Sequence, residues 1–399
     1  MVLLYSTLFF YSVGFFSGID VQPGFILFAI IYIGFNISKV ELTPRELSIS
    51  ALLLVFFITG CIVHSQNLDL KFILTYSIVI LNVFTIYVLI KCFNFVISSK
   101  LVKIVFVIYA SVGIIQFIYP EFLSFLVTRS VDAALSFASS GRGVRSLTAE
   151  PAQLGKVFTI ISVIYFLVVK VDNKDSNRKV FCWLTIMLLA TLLISRSAYA
   201  IAIHSFIYYI LVSLLSKRYF GVLTVISVFS MVFLSTAFFI IAQNYMDVRS
   251  VKIIYSLFNN PEFILSQGAF RRVINIPITF DLLNYYGFWG AGNIDKVING
   301  WIPTPIGTYF YTMTNRAYGG YFEWLLKFGV LGLPFVLTIF YFCTASMSKF
   351  KGKRVALIIA IVIFQDGTPV LPLLPYVLIL NYFLGVRWRK QAVSQRLLS

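Results

Sequence analysis

Charged side chains that can bind an anion or handle a proton gather in one short stretch, RGVRSLTAEPAQLGKVF at 142–158. Arg142, Arg145 and Glu150 precede an apolar run that begins at Pro151. Arginine carries a planar guanidinium whose charge is permanent, which suits phosphate and carboxylate groups. Glutamate can accept a proton or orient a hydroxyl group. The stretch therefore combines anion-binding groups with one candidate for acid–base chemistry.

Arg196 is a second charged residue in an apolar setting, within LLISRSAYAIA. A charge among membrane helices costs about 3 kcal/mol unless it faces the bundle interior or a water-filled cavity. We therefore expect a buried Arg196 at the outer membrane edge, and we treat it as a functional candidate. The alternative is a side chain that snorkels to the membrane interface.

Glu150 has two interpretations. Proline is tolerated in the first turn of a helix, so Pro151 predicts a helix start, with Thr148 or Glu150 near the N-cap. A carboxylate at that position complements the helix dipole, and Glu150 is then a capping residue only. The other interpretation is a base, or a carboxylate that orients an acceptor hydroxyl, beside the arginines.

The elements that position these residues are membrane helices. The chain has 399 residues, of which 59% are hydrophobic and 12% charged, and its mean hydropathy is +0.91. Soluble domains carry about 25% charged residues. Apolar runs of roughly 17–22 residues recur along the chain, each long enough to cross a bilayer core of about 30 Å. We predict an all-α, polytopic helical membrane protein that forms a single integral membrane domain over residues 1–399.

We place about twelve transmembrane helices along the chain. Their approximate ranges are 2–17, 23–38, 47–63, 71–90, 102–118, 153–170, 180–195, 198–215, 220–241, 319–345, 355–370 and 371–386. Lys and Arg concentrate in alternate connections and in the C-terminal tail, which predicts that both termini are cytoplasmic. The same bias accounts for most of the net charge of +17, so that nucleic acid is not the expected partner.

Two long segments fall on the outer side, at about 119–152 and 242–318. The second is predicted to be a large periplasmic loop with interfacial helices, because VRSVKIIYSLF at 248–258 has apolar residues at helical spacing. Its later part is punctuated by Gly and Pro in GFWGAGN at 287–293 and PTPIG at 303–307, which predicts loop.

Eight arginines lie on the outer side or at its membrane edge, where the positive-inside bias predicts few cations. They are Arg129, Arg142, Arg145, Arg196, Arg249, Arg271, Arg272 and Arg316. The simplest partner is an anion at the outer membrane surface, such as a lipid-linked diphosphate. The alternative is that several of them pair with nearby acidic residues or with lipid headgroups.

Other chemistries lack the residues that they require. His64 and His204 are isolated, so each is expected to be a packed or interfacial histidine without metal-ligand spacing. The four cysteines are far apart and suggest neither a disulfide framework nor a metal site. No Walker motif and no acidic DxD-like pair occur in the sequence.

The order of the motifs resembles that of the O-antigen polymerase (Wzy-type) family, within the O-antigen ligase and polymerase superfamily. SLTAEPAQLG at 146–155 resembles the segment in which a Glu-Pro pair, here Glu150 and Pro151, opens a helix near the outer surface. SRSA at 195–198 is similar to an SRG-like segment that presents an arginine, here Arg196, to the active cavity.

A third motif lies in the large outer loop. AFRRVIN at 269–275 resembles a loop arginine that is followed about twenty residues later by a GxG turn. The glycines of that turn are Gly290 and Gly292, and either Arg271 or Arg272 is the matching arginine.

The fourth motif distinguishes polymerase from ligase. AYGGYFEWLLKFGVLG at 317–332 resembles the ligase pattern in which Ala-His-Asn precedes a helix ending in Gly-x-x-Gly. Tyr318 and Gly319 stand where the ligases have His and Asn. This departure favours a polymerase.

The resemblance implies a GT-C-like glycosyltransferase that needs neither metal nor cofactor. Its donor would be a growing glycan on undecaprenyl diphosphate, and its acceptor an undecaprenyl-diphosphate-linked repeat unit. The acceptor hydroxyl would attack the anomeric carbon with inversion, and undecaprenyl diphosphate would leave. The protein would lie in the bacterial inner membrane, with its active site facing the periplasm and a chain-length regulator protein as a partner.

From the motifs and the outer charge we expect nine site residues. The catalytic ones would be Glu150, Arg196, Arg271 and Arg272, and the substrate-binding ones Arg142, Arg145, Asn293, Arg316 and Tyr318.

Two rival functions remain at this point. One is an O-antigen ligase, and the other is a flippase or transporter of lipid-linked oligosaccharides. A transporter would need cationic groups within its central spans and commonly contains internal repeats. The sequence shows no repeat, and its long outer loop is poorly explained by transport.

Overall fold

Apolar helices dominate the structure. The computed structural model describes residues 1–14, 22–64, 70–127, 143–172, 176–215, 221, 288–290, 292, 298–304, 307–313, 320–345, 373–380 and 382–383. Within these residues, five helices are long and apolar enough to cross a membrane, at Pro44–Val63, Tyr76–Phe93, Ser99–Ile118, Pro151–Val169 and Asn177–Ser195. Their length and composition indicate a helical, membrane-embedded protein.

The element boundaries follow the predicted spans closely in the first half of the chain. The helices are α1 Val2–Phe9, α2 Gly24–Phe35, α3 Pro44–Val63, α4 Leu70–Phe93, α5 Ser99–Ile118, α6 Pro151–Asp172, α7 Asn177–Ala190, α8 Ala198–Leu215, α9 Gly320–Phe328 and α10 Leu333–Ala345. Side-chain caps fix several of the starts, with Thr43 accepting from Glu46 N, Ser98 from Leu101 N and Ser176 from Lys179 N. Such caps satisfy backbone donors that a helix start leaves without partners.

The first predicted span is too long. Helix α1 ends at Phe9, and the Phe9 carbonyl accepts a hydrogen bond of 2.7 Å from the buried Tyr109 hydroxyl of α5. The chain then turns, with Val13 N donating to the Phe10 carbonyl at 2.9 Å, and Val13 forms an antiparallel bridge with Val127. A side chain on a neighbouring helix therefore ends α1, and the composition of residues 2–17 could not reveal this.

The chain divides into two compact units. The first consists of Met1–Gly24 and Ile97–Ile264, and the second of Phe25–Val96 and Leu265–Ser399. Helix α6 is central to the first unit, since 83% of its apolar stretch is buried, against 39% for α5 and 33% for α7. It packs against α5, α7 and α8.

The second unit has an aromatic core around a broken helix. The ring of Trp324 stacks on Phe335 at 4.0 Å and on Phe328 at 5.0 Å, and Tyr76 of α4 meets Trp324 edge-on at 5.1 Å. The predicted span 319–345 is not one continuous helix, because a 3-10 turn at Gly329–Gly332 separates α9 from α10. Gly329 has φ +55, a conformation that favours glycine.

Helices α3 and α4 are tied together at one end by a polar cluster. Glu46, in the first turn of α3, accepts hydrogen bonds from the Tyr87 hydroxyl and the Lys91 ammonium group of α4. The same carboxylate accepts from the Thr43 backbone N–H at 2.7 Å, which completes a capping box. One carboxylate thus starts a helix and fixes its neighbour.

The segment predicted to be a large periplasmic loop contains a structure that the all-α prediction misses. Strands β1 Ile298–Thr304 and β2 Gly307–Met313 form an antiparallel hairpin, in a stretch predicted to be irregular. Its pairing brings Thr304 opposite Gly307. The candidate interfacial helix at 248–258 and the predicted span at 355–370 lie outside the described residues, and so does the predicted span at 220–241 apart from residue 221.

We predict that Tyr109→Phe destabilises the protein by about 1–2 kcal/mol, because the buried Phe9 carbonyl loses its donor. Thermal unfolding in detergent would measure the change. Tyr119→Phe is the matched control, since Tyr119 is 67% exposed and its loss of a hydroxyl should be neutral. Equal unfolding temperatures for both variants would contradict the assignment of this bond.

Candidate functional site

The backbone before α6 is held in a buried loop. Residues 143–149 are all buried, although the loop carries an arginine, a serine and a threonine. The amide of Gln116 on α5 bonds to Ser146 in both directions, accepting from its backbone N–H at 2.7 Å and donating to its carbonyl at 3.2 Å. The Ser146 hydroxyl donates to the Tyr109 carbonyl at 2.7 Å. These bonds support Ser146 in a left-handed conformation, at φ +50.

Arg145 belongs to this buried loop, and its placement corrects an expectation. Only 1% of its surface is exposed, and its guanidinium donates to the Ser124 carbonyl at 3.4 Å. The sequence predicted a substrate-binding Arg145 that meets an anion at the outer membrane surface. Arg145 instead joins the loop to the segment at Ser124–Leu126, because its guanidinium bonds to a carbonyl group of that segment inside the protein.

Glu150 occupies the N-cap position of α6. Its carbonyl accepts the first helical hydrogen bond, from Leu154 N at 3.1 Å, and Pro151 is the first helical residue. Thr148 is not the cap, because its hydroxyl is directed to the carbonyls of Arg145 and Glu150 at 2.6 and 2.9 Å. Glu150 is partly exposed, whereas the seven residues before it are buried. The buried loop therefore ends at a partly exposed glutamate.

A π-helical turn precedes Arg196. Residues Thr191–Ser195 continue α7 with an extra residue in the turn, closed by a hydrogen bond of 3.2 Å from Arg196 N to the Thr191 carbonyl. Arg196 then adopts a left-handed conformation, with φ 49 and ψ 13. Such turns are rare in proteins overall, and those that occur often lie at functional sites. The predicted span 180–195 has the right extent, but nothing in its sequence signals the change of helical period.

The Glu150 motif and the Arg196 motif are in direct contact. The Ser195 hydroxyl donates to the Pro151 carbonyl at 2.6 Å, and Val144 N donates to the Ile194 carbonyl at 3.1 Å. Gly143 has φ +86, and a Cβ atom there would overlap the Ser195 carbonyl. Two segments about fifty residues apart in sequence thus share a backbone junction. Both Glu150 and Arg196 are covalent neighbours of its hydrogen-bonded residues.

The Arg196 side chain lies at the surface, so the expectation that it is buried is wrong. Its Nε donates to the Leu193 carbonyl at 3.1 Å. Its guanidinium carbon lies 4.6 Å from the ring centroid of Phe117, near the end of α5. A cation over an aromatic face is stabilised while it stays accessible. The geometry therefore presents a restrained guanidinium at the end of α6 that carries Glu150.

Gly155 makes the junction possible. A Cβ atom at this position would overlap Cβ of Ala200 and would lie 2.8 Å from Ser195 Oγ and 3.3 Å from Thr191 Cγ2. No side chain fits there, which lets α6 approach both the π-helical turn and α8. Gly155 was not among the predicted site residues, although it lies in the motif SLTAEPAQLG.

His204 lies beneath the π-helical turn and is completely buried. Its ring nitrogens face two hydroxyls, with Nδ1 at 2.7 Å from Thr191 Oγ1 and Nε2 at 3.0 Å from Ser162 Oγ. This confirms the expectation of a packed histidine. Its position beside the Arg196 motif was missed, because isolated histidines carry no spacing signal.

The two glycine motifs of the second unit also meet. Gly290 and Gly292 have φ +82 and +58, and the Gly292 N–H donates to the Lys327 carbonyl at 3.0 Å. A Cβ at Gly290 would overlap the backbone N of Gly329. His64 closes the contact, with Nε2 at 2.9 Å from the Trp289 carbonyl. The GxG turn is thus seated on the break between α9 and α10.

Several predicted site residues cannot be placed. Arg142, Arg271, Arg272, Asn293, Arg316 and Tyr318 lie outside the described residues. In the part of the chain that the structure describes, no group of three or more His, Cys, Asp or Glu side chains could hold a metal ion.

We predict that Gly155→Ala destabilises the protein by about 1–3 kcal/mol, because the added methyl group forces α6 away from the π-helical turn. The measurement is thermal unfolding of purified protein in detergent. Gly34→Ala in α2 is the matched control, since no atom lies within 4 Å of its added Cβ and alanine favours a helix. A neutral Gly155→Ala would show that α6 and α8 are less closely packed than the geometry requires.

No protein-family model, no curated protein and no solved structure matches this chain. The likeness to O-antigen polymerases therefore rests on the motifs quoted above and on their order.

Proposed function

We propose that the chain is a membrane-embedded, metal-independent glycosyltransferase that joins lipid-linked oligosaccharide repeat units into a surface polysaccharide. One observation carries the proposal. The hydrogen bond from Ser195 Oγ to the Pro151 carbonyl ties the motif of Glu150 to the motif of Arg196. Glu150 and Arg196 thereby stand on two helix ends that share one buried junction.

The reaction needs few protein groups. A hydroxyl of the acceptor sugar attacks the anomeric carbon of the donor, a new C–O bond forms, and the bond to the diphosphate oxygen breaks. The hydroxyl proton passes to Glu150 or to water. Inversion at the anomeric carbon follows from this single displacement. The leaving group is a lipid diphosphate, which departs readily once its charge is stabilised. Positioning and electrostatics can then supply most of the catalysis.

Arg196 is assigned to the leaving diphosphate. Its guanidinium is exposed, permanently charged and restrained by Leu193 and Phe117, so that it can meet an anion with little loss of side-chain freedom. The nearby start of α6 carries the positive end of a helix dipole, which favours an anion at the same end.

Glu150 is assigned to the acceptor. Glu150 is partly exposed at the end of the buried loop, and a carboxylate there can accept a hydrogen bond from the attacking hydroxyl. Capping alone remains the other interpretation, since Glu150 stands at the N-cap of α6. Arg145 is reassigned from substrate binding to supporting the loop, because it is buried against the Ser124 carbonyl.

The finer architecture belongs to the same proposal. It comprises about twelve spans, both termini in the cytoplasm, a GT-C-like fold and a periplasmic active site in the bacterial inner membrane. Roles for Arg142, Arg271, Arg272, Asn293, Arg316 and Tyr318 rest on the sequence alone, through its motifs and the arginines of the predicted outer side. A lipid-diphosphate donor, a lipid-linked acceptor and a chain-length regulator are the partners that this function requires.

We predict that purified protein given a lipid-linked repeat unit, without added metal or nucleotide, forms a ladder of elongated glycans. Arg196→Ala should reduce the turnover number by about 10²–10³-fold, as does loss of one donor to a developing charge. Gel analysis of the lipid-linked products measures both effects. Arg178→Ala is the matched control, since Arg178 is an exposed arginine at the opposite end of α7.

Ladder formation separates the polymerase from its rivals. A ligase would transfer glycan only when supplied with its own lipid acceptor, and a transporter would form no new glycosidic bond. Full activity of Arg196→Ala would rule out the assignment of the leaving-group site.

We predict that Glu150→Gln abolishes elongation while leaving the protein folded. Glutamine is close in size to glutamate but is neutral and a weaker acceptor. The readout is surface glycan in cells that lack the native protein, where this variant should yield a single repeat unit. Normal long chains would support the capping role, since glutamine still caps modestly.

A further inference from the structure

We propose that His204 is a positioning residue that holds the π-helical register of Thr191–Ser195 and thereby places Arg196. This inference rests on the proposed function of Arg196. His204 is completely buried and cannot contact substrate directly. It can act only through the two hydroxyl groups, on other elements, to which its ring is hydrogen-bonded.

The histidine joins three elements at one point. His204 lies on α8, Ser162 on α6, and Thr191 is the first residue of the π-helical turn. Both ring nitrogens are bonded, so the ring cannot rotate without breaking one contact. A buried polar ring without these partners would cost free energy in an apolar core. Its presence therefore fixes where the π-helical turn begins relative to α6.

Donor and acceptor roles follow from the distances. Ser162 Oγ lies 2.8 Å from the Phe158 carbonyl, so its hydrogen points there and its oxygen accepts from Nε2–H. Thr191 Oγ1 lies 2.7 Å from His204 Nδ1 but 3.2 Å from the Met187 carbonyl. We assign the Thr191 hydrogen to Nδ1, which gives a neutral ring with one donor and one acceptor.

The register matters because one residue decides which way Arg196 points. An α-helix turns about 100° per residue, so removal of the extra residue would rotate everything that follows by about that angle. The Ser195 hydroxyl would then leave the Pro151 carbonyl. The hydrogen bond from His204 to Thr191 holds the first residue of the π-helical turn. The bonds of Ser195 and Ile194 hold its last two residues, so the turn cannot change to α-helical geometry from either end.

A second hydrogen bond between α7 and α8 supplies a matched control. Thr185 of α7 and Tyr208 of α8 share a hydrogen bond of 2.8 Å, away from the π-helical turn. Tyr208→Phe removes one hydrogen bond between α7 and α8 without touching the register. It therefore separates a general loss of helix packing from a loss of position at Arg196.

The register is measured without reference to activity by disulfide cross-linking. Val144 N bonds to the Ile194 carbonyl, and a methyl group of each side chain lies within 4 Å of the Cβ position of Gly113. We therefore expect Val144→Cys and Ile194→Cys to be close enough to be oxidised together. The 399-residue chain carries these changes with Cys61, Cys92, Cys182 and Cys343 replaced by serine. We expect efficient cross-linking in this background and with Tyr208→Phe, and at least about tenfold slower cross-linking with His204→Phe.

We predict that His204→Phe lowers the turnover number of elongation by about 10²-fold, with KM for the lipid-linked unit nearly unchanged, because Arg196 is displaced. His204→Gln should recover part of both readouts, since glutamine offers one donor and one acceptor. In an Arg196→Ala background, His204→Phe should add no further loss of turnover. Thr191→Val, which removes one partner and keeps the volume, replaces His204→Phe if that variant does not fold.

Each outcome decides between the two proposals. Unchanged cross-linking in His204→Phe overturns the positioning role, whatever happens to turnover. Slower cross-linking with unchanged turnover supports the register but removes Arg196 from the reaction. If cross-linking is equally slow in Tyr208→Phe, the effect of His204→Phe is a general loss of packing between α7 and α8, and the inference is overturned.

Discussion

The close approach of α6 to the π-helical turn is the constraint on which the rest of the first unit depends. Gly155 allows this approach, and the hydrogen bond from Ser195 to the Pro151 carbonyl fixes it. Because a backbone carbonyl accepts this directional bond, the contact sets the position of α6 along the π-helical turn as well as the distance between them. The loop at 143–150, the N-terminus of α6 and the left-handed Arg196 are all placed relative to this junction.

The second unit uses the same physical device with different residues. Its GxG turn reaches the helix break because Gly290 and Gly329 have no side chains to separate the two backbones. In both units, a polypeptide segment from outside a helix is bonded to backbone groups that an irregular turn has released. Irregular helix geometry creates free carbonyls and N–H groups, and these become attachment points for loops.

The sequence predicted the helices well and the geometry of the candidate site only partly. Long apolar runs and the Pro151 signal located α3 to α8 within a few residues, because membrane spans depend on local composition. The end of α1, the break at Gly329 and the π-helical turn depend on partners far away in the chain. The exposure of Arg196 and the burial of Arg145 were likewise not predictable, since hydropathy does not say which cation finds an internal carbonyl.

Strain in the backbone is concentrated around this junction. Among the described residues, Asn94, Leu123, Ser146 and Arg196 are the non-glycine residues with positive φ, and the last three belong to the first unit. A side chain in this conformation costs about 1 kcal/mol or more relative to glycine. Keeping Arg196 at φ 49 therefore lowers the stability of the fold locally, and it places a charged group at a defined point. A search for more stable variants would tend to replace such residues first, and would trade away the feature that gives the surface its chemistry.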